Sequence, residues 1–282
     1  MIGLFDSGHG GLTIFRALAQ RFPDQKLIYL GDHANLPYGD RTSEEIVELT
    51  RCGVELLFGQ GCELVLLACN TATAVSARTL QQEWLPLSGH SGKNVLGIIA
   101  PTVEAATQTP WAVTEPQYPQ MYNRDRIAIF GTTRTITTDV YGDEIRKRCP
   151  EVELFQLACP KLAQSIERDG DDDLLEGMVK NYVDEMLAKL DGAPLHQAIL
   201  GCTHYPLVEH HFRKYLPGHT RILSQPKIVA DSLDYYLRHH PEYLGPPRAM
   251  EESSVLLTTS IDALPRSAAL AAYRGELVFR EV

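Results

Sequence analysis

Two short apolar runs in this 282-residue chain each deliver a cysteine into the start of a helical pattern. Leu64 to Leu67 leads into Ala68-Cys69-Asn70-Thr71-Ala72, and Ala198 to Leu200 leads into Gly201-Cys202-Thr203-His204-Tyr205-Pro206. Runs this short and this rich in branched aliphatics read as strands buried on both faces. The repetition predicts strand–helix units with two thiols placed alike in two halves.

The rest of the chain keeps that rhythm. Ile2 to Phe5 is apolar, Leu12, Phe15, Leu18 and Phe22 follow at helical spacing, and Leu27 to Leu30 is apolar again. Thr42 and Glu45 have the form of a capping box, opening a helix that carries Ile46, Leu49 and Gly53 and ends near Gly59 or Gly61. Val95 to Ile99 and Arg126 to Phe130 read as further buried strands. Asp171 to Asp173 stand where a helix start favours negative charge, and Leu174, Leu175, Met178, Tyr182, Met186 and Leu190 continue the helix, so a metal site there is the weaker reading. Leu85 to Asn94 and the proline-rich Thr109 to Asp125 read as loops. Leu207 to Tyr215 reads as a helix, followed by a turn at Asp231-Ser232 and another helix. The tail predicts strands at Val255 to Thr258 and Leu277 to Phe279, with a helix around Leu264 to Tyr273 between them. Alternation of this kind means α/β architecture, with mostly parallel sheets covered on both faces and ligands at the carboxyl ends of strands.

The length favours about two domains. A net charge of −10 without a basic cluster repels polyanions, which argues against nucleic-acid and anionic-membrane partners. The opening MIGLFDSG has neither a basic leader nor a long apolar stretch, so the expected location is cytoplasmic. Cys52, Cys62, Cys69, Cys149, Cys159 and Cys202 form no CxxC pair, which weakens metal and thioredoxin-like readings. Cys52, Cys62, Cys149 and Cys159 read as buried small hydrophobes.

The chemistry-bearing residues cluster at strand ends. Asp6-Ser7-Gly8 follows the first strand, with Gly8, Gly10 and Gly11 in a loop that lets backbone approach closely. The spacing is not GxGxxG, and Asp6 would set a carboxylate against a phosphate, so a dinucleotide loop is discounted; Asp6 as a helix cap stays open. Pro37-Tyr38-Gly39 and Gly131-Thr132-Thr133-Arg134-Thr135 are polar turns suited to holding a small carboxylate, although ordinary turn chemistry is the commoner meaning of each. A cysteine opening a helix feels its positive end, which is expected to lower the thiol pKa. His204 is the natural proton partner of Cys202, and Asp6 that of Cys69 if the loops converge. One thiol suffices for a nucleophile, leaving the second without a role; two thiols facing each other across a substrate suit removal of a proton on one face and its return on the other.

FDSGHGGLT, LGDHANLPYGDRT, LLACNTATA, IFGTTRTITTDVY and LGCTHYPLV, in this order, resemble the signature segments of the glutamate racemases of the aspartate/glutamate racemase superfamily. The resemblance spans about residues 1 to 235. It implies two similar three-layer α/β domains with mostly parallel sheets, related by pseudo-twofold symmetry, with the active site in the interdomain cleft. The implied division is 1–98 plus 208–282 for the first domain and 99–207 for the second. It also implies cofactor-independent, metal-free interconversion of L- and D-glutamate for peptidoglycan synthesis, by a homodimer. Carried over residue by residue, Cys69 is the base toward the D-enantiomer and Cys202 toward the L-enantiomer, with Asp6 and His204 assisting. Glu167 falls near the site. Ser7, Pro37, Tyr38, Gly39, Asn70, Thr71, Thr132, Thr135 and Thr203 match positions that hold the amino acid.

Departures from the family pattern include His9 in place of an aliphatic residue, Asn35-Leu36 before the Pro-Tyr-Gly turn, Thr138-Asp139, and longer loops at 85–94 and 109–125. His9 and Asp139 near the ligand leave room for a shifted substrate preference. The rival readings are an aspartate racemase, a non-catalytic amino-acid-binding protein and a thiol-redox pair.

Overall fold

The computed structural model describes residues 1–116, 118, 125–168, 170–245, 254–264 and 279–282. The chain runs β1 (Ile2–Asp6), α1 (Leu12–Arg21), β2 (Leu27–Gly31), α2 (Ser43–Gly59), β3 (Leu64–Leu67), α3 (Asn70–Thr79), β4 (Asn94–Gly97) and α4 (Ile99–Thr107). It continues through β5 (Arg126–Gly131), α5 (Thr133–Thr137), α6 (Val140–Arg148), β6 (Glu153–Ala158), α7 (Leu162–Glu167), α8 (Asp172–Lys189), β7 (Gln197–Gly201), α9 (Glu209–Tyr215), β8 (Arg221–Leu223), α10 (Gln225–His239), β9 (Val255–Thr258) and β10 (Phe279–Glu281). Each strand pairs only in parallel among the described residues.

Two sheets form, ordered β10-β9-β2-β1-β3-β4 and β6-β5-β7-β8. Stripped of β9 and β10, the first repeats the second strand for strand. The repeat holds at residue level: Phe5 pairs with Leu67 in the first sheet and Phe130 with Leu200 in the second, which makes Cys69 and Cys202 equivalent positions. In each unit the chain reverses direction across the sheet beside its first strand, the switch point where open α/β sheets bind ligands.

Both sheets are covered on two faces, as their uninterrupted apolar strands require. In the first, Leu12, Phe15 and Leu18 of α1 meet Val229, Leu233 and Leu237 of α10 on one side, and Ile46, Val54 and Leu57 of α2 pack on the other. Thr42 caps α2 by accepting from the Glu45 N–H at 3.2 Å while Glu45 accepts from the Thr42 N–H at 2.9 Å, the reciprocal bond the sequence signalled. In the second unit, α7, α8 and α9 cover one face and Ile99, Val103, Tyr141 and Ile145 of α4 and α6 the other.

Several expectations need correction. The resemblance places residues 208–223 in the first domain, but β8 pairs with β7 and Phe212 and Leu216 pack beside Phe130, so this segment belongs to the second unit and the chain returns with α10. Asp231 and Ser232 are not a turn; they lie inside α10, because Ile228, Val229, Leu233 and Leu237 keep the helical period through them. The helix read over 207–215 starts as a 3₁₀ turn, Tyr205–Val208, with Pro206 near its start. Cys52 is exposed on α2 rather than buried. Residues 265–273 of the helix read from Leu264 to Tyr273, and the first two residues of the strand at 277, lie outside the described residues.

Candidate active site

The carboxyl ends of both sheets open on one cleft of about 260 Å³. Ser7, Pro37, Tyr38, Gly39, Cys69, Asn70, Thr71, Thr132, Glu167, Cys202, Thr203 and His204 line it. Asp6 and Thr135 stand behind that wall, each nearly or wholly buried. Asp139 lies elsewhere: its carboxylate meets Arg146 at 2.9 Å and the Gln156 amide, so it is not available to a ligand in the cleft.

Cys69 caps α3. Its sulfur accepts from the Ala72 N–H at 3.4 Å and lies 3.5 Å from Ser7 Oγ. The helix end therefore favours a thiolate, but the expected lowering is overturned: burial, with the Asp6 carboxylate next, pushes the Cys69 thiol up to about 12. Cys202 is not followed by an α-helix; a bend precedes the 3₁₀ turn, and its sulfur lies 3.6 Å from His204 Nδ1. His204 Nε2 in turn lies 3.6 Å from Glu167 Oε1. Burial works to lower the His204 pKa, yet its contacts with Cys202 and Glu167 carry it well above the usual value. For Glu167 burial likewise opposes the charge and is outweighed by His204 and then His9, which hold the carboxyl far below its usual range. An imidazolium–carboxylate pair thus backs one thiol.

Asp6 backs the other side. Its Oδ1 accepts from the Gly8 N–H at 2.8 Å and its Oδ2 from Thr203 Oγ1 at 3.4 Å, tying the loop after β1 to the loop after β7. Complete burial raises its pKa despite His204, whose charge pulls the other way. The glycine loop is explained by this meeting of the two units. A Cβ on Gly8 would stand 2.3 Å from Glu167 Oε1, and one on Gly10 2.6 Å from the His204 ring. Close approach here serves the protein's own second unit, not a phosphate.

The polar wall is built by cross-links between units. The hydroxyl of Thr71 lies 3.0 Å from that of Thr132 and 3.3 Å from that of Thr135, and Thr132 also caps α5. Asn70 donates to Gln225 Oε1 at 2.6 Å and accepts from the Tyr141 hydroxyl at 2.7 Å. Its amide is therefore mostly spent on holding α3 in place. The Tyr38 hydroxyl donates to Asp32 Oδ2 at 2.6 Å, so Tyr38 offers a ligand only its backbone and ring. Gln225, Tyr141, Lys161 and Gln164 were missed by the sequence reading: the first two brace Asn70, the last two line the cleft. Lys161 sits at the carboxyl end of β6 in a left-handed conformation, φ 66°, a strand-end position that strand order alone could have flagged.

The arrangement puts two thiols from equivalent positions on one small polar cleft, each with a buried partner able to carry a proton. Known proteins share much of this chain's sequence and its fold. The family described as Asp/Glu/hydantoin racemase matches residues 12–233. The glutamate racemase of Phenylobacterium zucineum (strain HLK1) is 46% identical over 246 residues, 86% of this chain and 87% of that one. That of Caulobacter sp. (strain K31) is 46% identical over 245 residues, 86% of each. The crystal structure of a glutamate racemase isoform from Bacillus anthracis superposes with a TM-score of 0.80 at 27% identity, covering 100% of this chain and 97% of that one.

Proposed function

Because the chain belongs to the Asp/Glu/hydantoin racemase family, we propose that its reaction is the interconversion of L- and D-glutamate, through Cys69 and Cys202 and without a cofactor. The observation that carries the two-thiol reading is the equivalence of these cysteines in two repeated units whose strand ends share one cleft. Supply of D-glutamate for peptidoglycan is the corresponding cellular role.

In this reading the α-carbon sits between the two sulfurs. In the L-to-D direction the Cys202 sulfur takes the α-proton as a thiolate, with His204 as imidazolium beside it. The C–H electron pair becomes a carbanion, and the Cys69 thiol protonates it on the opposite face. Cys69, held as a thiol by burial, is suited to that delivery. The reverse direction exchanges the roles: the Cys69 thiolate takes the α-proton and the Cys202 thiol gives one back, with Asp6 beside Cys69 and His204 beside Cys202 as the neighbouring groups that can hold a proton. The α-proton is far less acidic than a thiol, so the carbanion depends on fixed donors in a drained pocket. Ser7, Thr71, Thr132 and Thr203 present hydroxyls there, and Thr71, Thr132 and Thr135 fix one another. Pro37, Tyr38, Gly39 and Asn70 complete the wall.

Circular-dichroism progress curves with L-Glu, D-Glu, L-Asp and D-Asp test the reading. Racemisation of both glutamates with little on aspartate supports it; aspartate as the faster substrate would replace it with an aspartate racemase, and no α-proton exchange with either would leave a binding protein. The resemblance also supports a homodimer acting in the cytoplasm, measurable by light scattering and by fractionation. No described helix is long and apolar enough to cross a membrane.

A further inference from the structure

We propose that His9 is a positioning residue: its backbone N–H and its ring fix the Glu167 carboxylate against His204, and thereby set how the imidazole stands behind Cys202. The inference rests on the racemase reading and deepens it.

His9 is 1% exposed, and a buried imidazole costs free energy unless a partner offsets it. The partner at hand is Glu167. Its Oε1 accepts from the His9 N–H at 3.4 Å and lies at ion-pair distance, 3.1 Å, from His9 Nδ1, a contact that is electrostatic because neither ring nitrogen of His9 makes a directed hydrogen bond. The same oxygen is 3.6 Å from His204 Nε2, and the His9 and His204 rings meet edge to face at 5.5 Å. A carboxylate of the second unit is thus held between a histidine of its own unit and a loop of the other. His9 is itself braced. Its ring stacks on His33 at 6.4 Å, and His33 Nδ1 lies 2.9 Å from Thr258 Oγ1. Burial, then His9, push His33 down to about 4, so His33 stays neutral and acts as a buttress.

With His204 and, after it, His9 beside the carboxylate, Glu167 stays ionised despite its burial, and an ionised Glu167 favours the proton on His204. The titratable groups facing this pair are Asp6 and His9 after β1, His33 after β2, and Cys202 after β7. Without the His9 contacts Glu167 relaxes, His204 loses part of its stabilised proton, and the alkaline limb of the rate profile moves to lower pH.

The experiment compares the wild type with His9→Leu and His9→Gln in glutamate racemisation, recording kcat and KM across pH. His9→Leu is expected to lose about tenfold in kcat, with little change in KM and the alkaline limb moved down. His9→Gln, which keeps a donor of similar reach, is expected to recover to within about threefold. In a Glu167→Gln background His9→Leu should cost little more, because the two act as a unit. If His9→Leu does not fold by far-ultraviolet circular dichroism, His9→Ala, which keeps no side-chain donor toward Glu167, takes its place with the same expected loss. A wild type that does not racemise glutamate overturns the functional reading and this proposal with it. An active wild type whose folded Leu or Ala variant keeps its kcat and pH profile overturns this proposal alone.

Discussion

Glu167 Oε1 stands 3.6 Å from His204 Nε2, while His204 Nδ1 stands 3.6 Å from the Cys202 sulfur, so one imidazole links a buried carboxylate to a thiol. Loss of the carboxylate should therefore be felt at both pH and rate. Glu167→Gln is expected to lower kcat by about ten- to a hundredfold, below the roughly 10²–10⁴-fold that an acid–base residue itself contributes, because Glu167 acts through His204. The stability consequence has a defined sign. His204 has a raised folded pKa, so its contribution is complete below about 6.5 and lost as pH rises through the raised value. Glu167 has a depressed one, so its contribution is present above about 4.5 and lost as pH falls through the lowered value. The difference in Tm between wild type and Glu167→Gln should be greatest between those two values and shrink at alkaline pH. A difference that grows with rising pH would contradict the ion pair.

Gly8 is expected to tolerate no side chain. A Cβ there would lie 2.3 Å from Glu167 Oε1 and 2.9 Å from Leu36 Cδ2. Gly8→Ala must displace the carboxylate that supports His204, and a loss of at least about tenfold in kcat/KM follows, about 1.4 kcal/mol. Gly59→Ala, with open space at its Cβ, is the control and should be near neutral in rate. Equal activities in the two variants would show that the loop gives way.

The Cys69 thiol should resist alkylation. With burial and Asp6 pushing it up to about 12, the thiolate fraction at neutral pH is small. Iodoacetamide labelling of the free enzyme, followed at the Cys69 peptide by mass spectrometry, should be slow at pH 7.5 and rise continuously to pH 10. The exposed Cys52 provides the fast reference in the same sample. A Cys69 that labels faster than Cys52 at neutral pH would show that the helix end prevails over burial.

Gln225→Leu should loosen the join between the units. The Gln225 side chain bonds Asn70 in both directions, at 2.6 and 3.1 Å, and reaches Thr102 Oγ1 at 2.9 Å. Removing it strands buried polar groups at a cost of about 1–3 kcal/mol, read from urea unfolding, and frees the Asn70 amide beside Cys69. An unchanged unfolding midpoint would remove Asn70 from its bracing role.

The sequence showed most of what local patterning encodes. Four-residue aliphatic runs such as Leu64 to Leu67 are legible because a strand buried on both faces has few other compositions, and Thr42 with Glu45 announced a helix start by its own chemistry. The site residues were reached mainly through the resemblance, and twelve of them line one cleft. What stayed hidden is long-range. Burial of Cys69 reverses the effect of its helix, and nothing near residue 69 in the chain reports the 5% exposure that results. The Asn70–Gln225–Tyr141 cluster joins residues from three helices, and β8, only Arg221–Leu223, is too short to show a period. The return of the chain to its first unit was misplaced for the same reason.

The two-thiol claim is tested most directly by deuterium entry at Cα in Cys69→Ser and Cys202→Ser, each incubated in D₂O with L- and D-glutamate and read by NMR and chiral separation. The account predicts that neither variant racemises at an appreciable rate. It further predicts that Cys69→Ser exchanges the α-proton of L-glutamate alone and Cys202→Ser that of D-glutamate alone, each with retention. Full racemisation by either variant, or exchange of both enantiomers by one thiol, would contradict it.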